Sequence, residues 1–540
     1  MRKVLLLSML TLILVVALGH PGIVGAQNNG NDLAPNYAFV PNSGEASVSK
    51  VDVVSNTSIA RYWTAPRLGD EINLVGEPAP GNANVIPPSE WRTSRIVLDA
   101  QSNAWVINTG ADGTNLQGSI VRIKADTEGL ITNDDHDNPL TFGTDEAVQV
   151  FPVGTPGDMP RAITVDGDGY IWVGFYSGAQ LMKYEYDEAS QTLTPVDGPF
   201  FPDTEPNNAI RYYDMEFAPD GTLFISSRGS TPTRTPRQEG IWTFDGTDFA
   251  RETEFNPYAI LIADDGTVYA TAYNNLLYIR DKDTEDWTSV EITGSSQNRG
   301  MAFDGLGNIW IASTVGTSGG TVVHSYNITS GLPGPTYTLT SGTTPVGVEM
   351  DAAGNIWVVC RTDNPDENPG YLEGFDPVTL AQIGAIEVGY RPYAYRDFIL
   401  PVFRLCGFKY LGHTEQGLQG WQIILERQLQ DAWVEQARTT TDADGSYCFE
   451  SLLAGRYRIR ETVQLGWTQV YPIPNEHLVT LPDGASDPEA GPFYNFENKP
   501  PAVGGDAYPV SRLVLLAPWV ALVLAVFAGA GLLLHRRRAV

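Results

Sequence analysis

The sequence contains few of the residues that usually carry catalysis and metal binding. Its 540 residues include only three cysteines and six histidines. Three cysteines are too few for a disulfide-dense scaffold and do not form a zinc-binding motif. A P-loop, a Rossmann fingerprint and a Ser-His-Asp order are also missing from the sequence. These absences leave no sequence evidence for a nucleotide-binding enzyme, a zinc enzyme or a serine hydrolase.

Basic residues are scarce relative to acidic ones. Lysine and arginine number 34 against 64 aspartates and glutamates, which gives a formal net charge of −30 at pH 7. Such a chain repels nucleic acid and anionic membrane surfaces, so neither is an expected partner. The charge would attract cations or basic partners, but a soluble acidic exterior is the simpler explanation.

One repeated unit dominates the chain, and Arg161–Phe175 shows it best. An alternating apolar run reaches an acidic glycine turn at Asp166–Gly169, and a second alternating run, Ile171–Val173, leaves it. Two short strands around a turn that needs positive φ predict a β-hairpin. Copies of the unit end on an aromatic residue at Trp105, Trp172, Phe224, Tyr269, Trp310 and Trp357. Repeats of roughly 40–50 residues with several short strands are typical of a β-propeller.

The repeats predict an all-β propeller over residues 46–400. Residues 47–53 and 58–64 alternate like outer strands but lack the hairpin, whereas 391–399 resembles an inner strand without one. We therefore expect residues 47–64 to pair with 391–399 as a composite seventh blade, because closure removes open sheet edges. A ring of six blades without the composite one is the alternative.

The two ends of the chain predict export and membrane anchoring. Residues 1–26 have basic residues, an apolar run and a small-residue cleavage pattern, as a signal peptide does. Residues 513–534 carry no charge and can span a hydrocarbon core of about 30 Å as a transmembrane helix. The basic tail 535–540 then places the carboxyl end in the cytoplasm. A polar leader at 27–45 and a linker at 500–512 complete the predicted order.

The repeat places an acidic residue and a glycine before an aromatic in an apolar run. This pattern resembles the NHL-like and streptogramin (virginiamycin B) lyase-like β-propellers, over residues 46–400. Those lyases hold a divalent metal with histidine and glutamate on the propeller face. The propeller histidines here, His136 and His324, do not lie in a matching motif. No catalytic residue is therefore carried over from that family.

Residues 403–499 differ from the repeats. Short alternating strands with glycine turns predict a small β-sandwich there. The segments Cys406–Tyr410, Gly417–Leu425 and Thr439–Phe449 resemble the SD-repeat B-type domains of bacterial surface proteins, also described as Cna-B-like and prealbumin-like. The resemblance implies that this domain is a stalk. Its loop at 411–416 is shorter than the acidic loop of calcium-binding members, so we expect no structural calcium.

Two covalent links are candidates in this second domain. Cys406 and Cys448 fall in one small exported domain, which favours a disulfide between them. Cys360 belongs to a propeller strand and is expected to be a buried free thiol. The resemblance also implies a Lys–Asn isopeptide bond promoted by a glutamate, as some relatives form. The candidates for that bond are Lys409, Glu461 and Asn498.

Ligands of β-propellers usually bind at the central channel, where the innermost strands begin. Arg161 and Arg299 each stand five residues before a turn aspartate, and Arg95, Asp214 and Tyr258 are nearby equivalents. A second register, closer to the turn, contains Glu216 and Glu349. These groups predict either a polar mouth that binds an anion or a carboxylate pair that holds a metal. The alternative is that the arginines bridge blades and pair with the glutamates.

The sequence therefore predicts an exported, membrane-anchored cell-surface protein whose body lies outside the cell. Its propeller is expected to bind an extracellular protein or glycan ligand, presented on the β-sandwich stalk. The rival prediction is an extracellular metal-dependent lyase or hydrolase of the streptogramin-lyase type. No cofactor is firmly implied, and a divalent cation in the channel belongs to the rival prediction.

Overall fold

The computed structural model describes most of the chain between residues 36 and 500. The described ranges are 36–66, 88–110, 116–125, 127, 130–202, 210–229, 238–314, 320–362, 368–400, 403–429, 432–452, 455–481 and 492–500. The predicted signal peptide 1–26, transmembrane helix 513–534 and basic tail 535–540 lie outside these ranges. Within them, no helix is long and apolar enough to cross a membrane.

Strands make up almost all of the regular structure, and α1 (Pro88–Trp91) is a single helical turn. The first sheet has three antiparallel strands: β1 (Tyr37–Asn42), β2 (Ser47–Asp52) and β3 (Thr57–Trp63). The next has four: β4 (Thr93–Leu98), β5 (Ala104–Asn108), β6 (Ser119–Ile123) and β7 (Val148–Pro152).

Five further four-stranded sheets repeat this antiparallel order along the chain. The first two are β8 (Pro160–Val165), β9 (Ile171–Phe175), β10 (Leu181–Asp187) and β11 (Thr192–Phe200), then β12 (Tyr212–Phe217), β13 (Leu223–Ser227), β14 (Gly240–Phe244) and β15 (Phe249–Arg251). The third is β16 (Pro257–Ile262), β17 (Val268–Ala272), β18 (Leu276–Arg280) and β19 (Trp287–Glu291). The last two are β20 (Gln297–Phe303), β21 (Asn308–Thr314), β22 (Val322–Asn327) and β23 (Leu332–Thr338), then β24 (Thr343–Met350), β25 (Ile356–Arg361), β26 (Pro369–Phe375) and β27 (Gln382–Tyr390).

These sheets form a β-propeller. The first strands β4, β8, β12, β16, β20 and β24 lie side by side in chain order, so the sheets surround a common axis. Apolar side chains of neighbouring sheets share clusters; Trp105 of β5, for example, clusters with Ile163 of β8 and Val173 of β9. The hydrophobic core therefore lies between the sheets, and the innermost strands line the channel.

One hydrogen bond explains why the repeat combines an aspartate turn with a tryptophan. The turn aspartate accepts the indole N–H of the tryptophan six residues later, at 2.8–3.2 Å, in Asp99–Trp105, Asp166–Trp172, Asp304–Trp310 and Asp351–Trp357. Asp166 also accepts the backbone N–H of Tyr170 at 2.9 Å. The aspartate thus fixes both the turn and the large ring that fills the space between sheets.

The segment 391–400 joins the last sheet to the first. It forms isolated bridges from Ile399 to Ala38 and from Pro392 to Asn42 of β1. On its other side, the Val348 N–H of β24 donates to the Tyr395 carbonyl at 3.1 Å. The segment therefore lies between β24 and β1, where an innermost strand is needed.

Two details of the predicted closure are wrong. The segment 391–399 pairs with β1, not directly with residues 47–64, because β1 stands between them in the sheet. The predicted polar leader 27–45 therefore ends too late, since Tyr37–Asn42 is a strand. Its short apolar stretch is completely buried at Ala38, Phe39 and Val40, which makes it part of the core.

Residues 403–500 form two further sheets. Their strands are β28 (Phe403–Leu411), β29 (Gln422–Leu429), β30 (Ala432–Thr440), β31 (Ser446–Leu452), β32 (Gly455–Glu461), β33 (Thr468–Tyr471), β34 (Glu476–Leu481) and β35 (Phe496–Lys499). The sheet orders are β31-β28-β35-β33 and β30-β29-β32-β34, with β28 and β35 parallel. Leu405 and Phe496 of the first sheet share an apolar cluster with Ile423 and Tyr457 of the second. The two sheets therefore bury one common core.

Candidate functional site

Bulges place polar side chains in the channel. Each innermost strand has a register shift near its start, which leaves one or two residues without a regular partner. The residues at the shifts are Arg95, Arg161, Tyr213, Tyr258 with Ala259, Arg299 with Gly300, and Thr344 and Val346. Arg161 and Arg299 thus occupy equivalent positions. Tyr213, not the predicted Asp214, is their equivalent in β12, because Ala218 occupies the turn position that Asp166 has after β8 and no aspartate marks the start of the count.

Four tyrosine hydroxyls meet in the channel near these bulges. The hydroxyl of Tyr393 lies 3.1 Å from that of Tyr213, 2.8 Å from that of Tyr395, and also contacts that of Tyr258. The Tyr395 hydroxyl is 3.3 Å from that of Tyr213. All four side chains are buried. Two come from innermost strands and two from the closing segment 391–400, so ring closure assembles the group.

Five guanidinium groups surround the phenols. That of Arg95 lies 3.5 Å from the centre of the Tyr395 ring, and that of Arg361 lies 4.7 Å from the centre of the Tyr393 ring. Cation–π contacts of this kind suit desolvated arginines. We call the whole group the arginine–tyrosine cluster: Arg95, Arg161, Arg228, Arg299, Arg361, Tyr213, Tyr258, Tyr393 and Tyr395.

The arginines of the cluster have no carboxylate partner within the described part of the chain, where the ion pairs of the channel belong to Arg396. Both terminal nitrogens of Arg95, and Nε of Arg299 and Arg361, are buried without a hydrogen-bond acceptor. Of the three Arg95 nitrogens, only Nε has an acceptor: it donates to the Tyr213 carbonyl at 3.0 Å. Buried guanidinium donors without acceptors are costly, and the oxygens of an anion are acceptors that could satisfy them.

The arginines favour ionisation of two phenols of the cluster. Burial opposes the loss of a proton from Tyr213, but Arg161, Arg228 and Arg95 together lower its pKa well below the usual value. Burial and the neighbouring tyrosines raise the pKa of Tyr258 instead. In a hydrogen-bonded group the first proton lost disfavours the second. Arg95, Arg161 and Arg361 also lower the pKa of Tyr393 against burial, so ionisation is favoured at Tyr213 and Tyr393.

Carboxylates gather where the innermost strands end. A cavity of about 530 Å³ is lined there by Glu216, Glu349 and Asp397, together with Thr164 and Leu400 among others. We call it the acidic cavity.

Arg396 is the cation of this region. Its guanidinium lies 2.9 Å from Asp214, 3.3 Å from Glu216 and 3.2 Å from Asp397. One guanidinium cannot neutralise these carboxylates and Glu349 together. Burial therefore dominates and raises the pKa of both Glu216 and Glu349 to about 8, even though Arg396 opposes the shift. In the described residues no group of three or more histidine, cysteine or acidic side chains is placed to hold a metal.

The predicted channel residues fall into two groups. Arg161, Arg299 and Tyr258 belong to the arginine–tyrosine cluster, whereas Glu216 and Glu349 line the acidic cavity. The predicted alternative, in which the arginines pair with the glutamates, is not what the described ion pairs show. Asp214 binds Arg396 and accepts the Ile260 N–H at 2.9 Å, so it braces the channel wall.

Sequence reasoning missed several members of the cluster. Arg228 follows β13 and Arg361 ends β25, so they share a place at the end of a second strand. Tyr393 and Tyr395 alternate in the closing segment. These two patterns were the available signals. The histidines lie elsewhere: His136 contacts Ser49 at 3.2 Å, and His324 is on a third strand, β22.

The second domain places its three predicted isopeptide residues together. Lys409 Nζ lies 2.8 Å from a Glu461 carboxylate oxygen, and both side chains are fully buried. Asn498 is also fully buried, on β35, which runs parallel to the β28 strand of Lys409. Burial lowers the pKa of Lys409 and raises that of Glu461, although contacts with Lys409 and Asn498 oppose the latter shift.

The three cysteines form one disulfide and leave one free thiol, as their positions in the sequence suggested. Cys406 and Cys448 are directly opposed on β28 and β31, with Cα atoms 4.1 Å apart, and they form a disulfide. Cys360 is a buried free thiol in β25, and burial raises its pKa well above the usual value.

Neither a protein-family model nor a curated protein matches the chain. Solved structures do match it. Virginiamycin B lyase from Staphylococcus aureus is 12% identical with a TM-score of 0.40, over 67% of this chain and 95% of that one. Apo AztD from Citrobacter koseri is 10% identical with a TM-score of 0.40, over 67% and 97%. A protein from Lactobacillus plantarum is 11% identical with a TM-score of 0.44, over 67% and 98%. These similarities concern the fold and not the activity.

Proposed function

We propose that this chain is an exported, membrane-anchored cell-surface protein whose propeller binds an anionic group of an extracellular protein or glycan ligand. The observation that supports the proposal is the arginine–tyrosine cluster, with five arginines and no carboxylate contact among the described residues. A ligand that supplies carboxylate, sulfate or phosphate oxygens would satisfy the buried nitrogens of Arg95 and Arg299.

The cluster has an open side. Arg161 and Arg228 are half-buried, and Tyr273 beside Arg228 is 42% exposed. The Arg228 guanidinium lies 3.7 Å from the centre of the Tyr273 ring. Arg95 and Arg299 are more deeply buried, at 3% and 8% exposure. A ligand group would thus pass a rim of half-buried arginines before it reaches a floor of buried arginines and phenols.

We also propose that the ring has seven blades. Six four-stranded sheets surround the axis, and segment 391–400 with β1, β2 and β3 forms the composite one. The support is that this segment is hydrogen-bonded on both sides, to β24 and to β1. A closed ring places innermost strands on all sides of the cluster.

The same proposal includes how the propeller is exported and held at the cell surface. The signal peptide 1–26 would direct export, and the transmembrane helix 513–534 with the tail 535–540 would hold the carboxyl end in the cytoplasm. Residues 403–499 would form a small β-sandwich of the SD-repeat B type that serves as a stalk. Two sheets around one core, with a cross-strand disulfide, support this assignment.

An isopeptide bond between Lys409 and Asn498 is a further element of the proposed stalk. Neutral Lys409 Nζ attacks the Asn498 Cγ, the new amide forms, and the carbon–nitrogen bond to the asparagine side-chain nitrogen breaks. Glu461 carries the proton from Nζ to the departing nitrogen, which leaves as ammonia. The buried setting favours the neutral amine and the protonated acid that the step requires.

Intact-mass measurement tests the bond. The wild-type chain should weigh less than its sequence by one ammonia in addition to the disulfide hydrogens, and Glu461→Gln should restore that mass. Arg456→Gln, an exposed change on the same strand, is the control. A wild-type chain that retains the mass of the ammonia would refute the isopeptide proposal.

Binding is tested with the double variant Arg161→Gln and Arg299→Gln. Neither arginine has a carboxylate partner, so the fold should remain intact while affinity falls at least about tenfold for each lost charged hydrogen bond. Glycan-array and surface-binding assays on the full-length protein would measure the loss. The matched control removes two exposed charges, Lys282→Gln and Arg456→Gln. Unchanged binding in a stable double variant would place the contact surface elsewhere.

A further inference from the structure

We propose that the arginine–tyrosine cluster binds an acidic oligosaccharide with two or more anionic groups, and not an acidic peptide or a single small anion. This inference rests on the proposed binding function and makes it narrower, because it names the class of the ligand. Four features of the cluster support it: the number of positive charges, the spread of the unsatisfied nitrogens, the balance of donors and acceptors, and an aromatic ring exposed at the rim.

The cluster contains more positive charge than one anionic group can neutralise. Its five guanidinium groups have no carboxylate contact among the described residues, where the ion pairs of the channel belong to Arg396. Even the loss of a proton from both Tyr213 and Tyr393 would offset only two of the five charges. A single carboxylate or sulfate would therefore leave an excess of buried positive charge. Two or more anionic groups on one ligand would remove most of that excess.

The unsatisfied nitrogens are spread around the channel. Both terminal nitrogens of Arg95 and the Nε of Arg299 are buried without an acceptor. The two guanidinium groups contact different tyrosine rings, and the innermost strands β8, β12 and β16 lie between β4 and β20, which carry the two arginines. Anionic groups that satisfy both arginines must therefore be separated on the ligand. Successive acidic units of an oligosaccharide provide such separated charges.

The side chains of the cluster are rich in donors. Guanidinium groups donate only, and the phenol oxygens already share hydrogen bonds with one another and with Arg161. A peptide bound there would bring backbone N–H groups, which are costly to bury without an acceptor. The ring oxygens, hydroxyls and anionic groups of an acidic sugar all accept hydrogen bonds. The donor-rich cluster therefore matches an acidic sugar better than a peptide.

Tyr273 presents an aromatic face at the open side of the cluster, where it is 42% exposed. Its ring centre lies 4.7 Å from that of Tyr258 and 3.7 Å from the Arg228 guanidinium. Arg228 also lies 4.8 Å from the centre of the Tyr258 ring, so both neighbours are on the same side of the Tyr273 ring. Neither of them covers its other face. The C–H face of a pyranose ring would pack there, as apolar surface packs on an aromatic ring.

Calorimetric titration of the purified full-length chain, at pH 7 and matched ionic strength in a detergent without a sugar headgroup, tests the proposal. Trigalacturonate should bind at least about tenfold more tightly than galacturonate, the factor for one further charged hydrogen bond. A triglutamate peptide with blocked ends matches its carboxylates on a peptide backbone and should bind at least about tenfold more weakly than trigalacturonate. Neutral maltotriose is the control for the sugar alone and should not bind.

A second acidic oligosaccharide identifies the anionic group. A κ-carrageenan tetrasaccharide carries sulfates and no carboxylate. Tighter binding of this probe than of trigalacturonate would assign sulfates to the ligand, and weaker binding would assign carboxylates.

The variant Tyr273→Ala tests the packing of a sugar ring. It should weaken the tighter of the two acidic oligosaccharides about fivefold to tenfold, because the aromatic contact is lost. Tyr471→Ala removes a similarly exposed tyrosine, at 46%, from β33 of the second domain and should leave the affinity unchanged. Wild-type affinity in the Tyr273→Ala variant would contradict a sugar ring at the rim.

The wild-type comparisons need no variant to fold. If neither acidic oligosaccharide binds more tightly than galacturonate, or if blocked triglutamate binds as tightly as both, the inference is wrong and the proposed binding function stands with another anionic ligand. If no anionic ligand binds in any assay, the proposed function fails with it.

Discussion

The two ends of the channel are built from the same strands and have opposite chemistry. At the bulged starts of the innermost strands, five arginines surround four phenols without a carboxylate contact in the described residues. Where these strands end, Glu216, Glu349 and Asp397 line a cavity beside the guanidinium of Arg396. The chain carries a net charge of −30, yet five arginines of its described residues gather in this channel. Net charge therefore predicts the general surface and not the site.

Each end reduces the cost of buried charge by moving a proton. Three nearby guanidinium groups lower the pKa of Tyr213 against the effect of burial, so the anionic form of a phenol is favoured there. Burial raises the pKa of Glu216 and Glu349 to about 8, so acids at the other end stay neutral. Burial favours the neutral form of an ionisable group, whereas a nearby opposite charge favours its charged form. The difference teaches that the two ends respond to pH through different residues and can be separated experimentally.

The largest expected effect comes from removing β1, the strand that pairs with the segment joining the two ends of the channel. Segment 391–400 supplies Tyr393 and Tyr395 to one end and Arg396 to the other, and it is paired with β1. Deleting 27–45, which includes β1, should lower the melting temperature by roughly 10 °C or more, because a sheet edge opens and a buried Phe39 is lost. Differential scanning calorimetry would measure it.

The control for this deletion is a shorter one. Removing 27–35 leaves β1 intact and should leave the melting temperature within about 2 °C of wild type, the change expected from less than 1 kcal/mol. If the longer deletion melts like the shorter one, the composite blade does not close the ring.

The next effect compares one arginine from each end. Arg396→Met should cost about 3–5 kcal/mol of unfolding free energy, since it leaves Asp214 buried without its cation and removes the ion-pair partner of the half-exposed Asp397. Arg361→Met should cost far less or stabilise the chain, because Arg361 has no carboxylate partner in the described residues and a buried Nε without an acceptor. Urea unfolding of both variants gives the difference. Equal losses would show that the two ends do not differ in charge compensation.

The sequence revealed local features of this architecture and not those that depend on ring closure. Asp166 and Trp172 are six residues apart, so their hydrogen bond leaves a readable pattern, and counting from that aspartate located Arg161. After β12, Ala218 stands at the turn position of Asp166, so no aspartate marks the start of the count and the prediction named Asp214 where Tyr213 belongs. The hydrogen bond of Arg396 to Asp214 joins residues 182 positions apart. Such a contact follows from how the ring closes, which a single sequence does not display.

The effect that is smallest for each pH unit is a pH dependence that comes from the carboxyl groups of the acidic cavity. Glu216 and Glu349 have pKa values of about 8 in the folded chain against an ordinary 4.5. Between these values the folded state holds protons that the unfolded state has released, so unfolding free energy falls as pH rises from about 4.5 to about 8. Each group contributes at most about 1.4 kcal/mol per pH unit. Urea unfolding at pH 5 and pH 8 would measure the slope.

The variant Glu216→Gln with Glu349→Gln isolates this effect. Glutamine cannot ionise, so the double variant should lose much of the slope and gain stability relative to wild type at pH 8 more than at pH 5. Tyr258→Phe acts at the other end, where burial raises the pKa of this phenol so that it stays protonated over this range; it serves as the matched control and should keep the slope. If the double glutamine variant shows the wild-type slope, the carboxyls of the acidic cavity are ionised at neutral pH. Arg396 would then compensate more charge than its distances to Asp214 and Glu216 indicate.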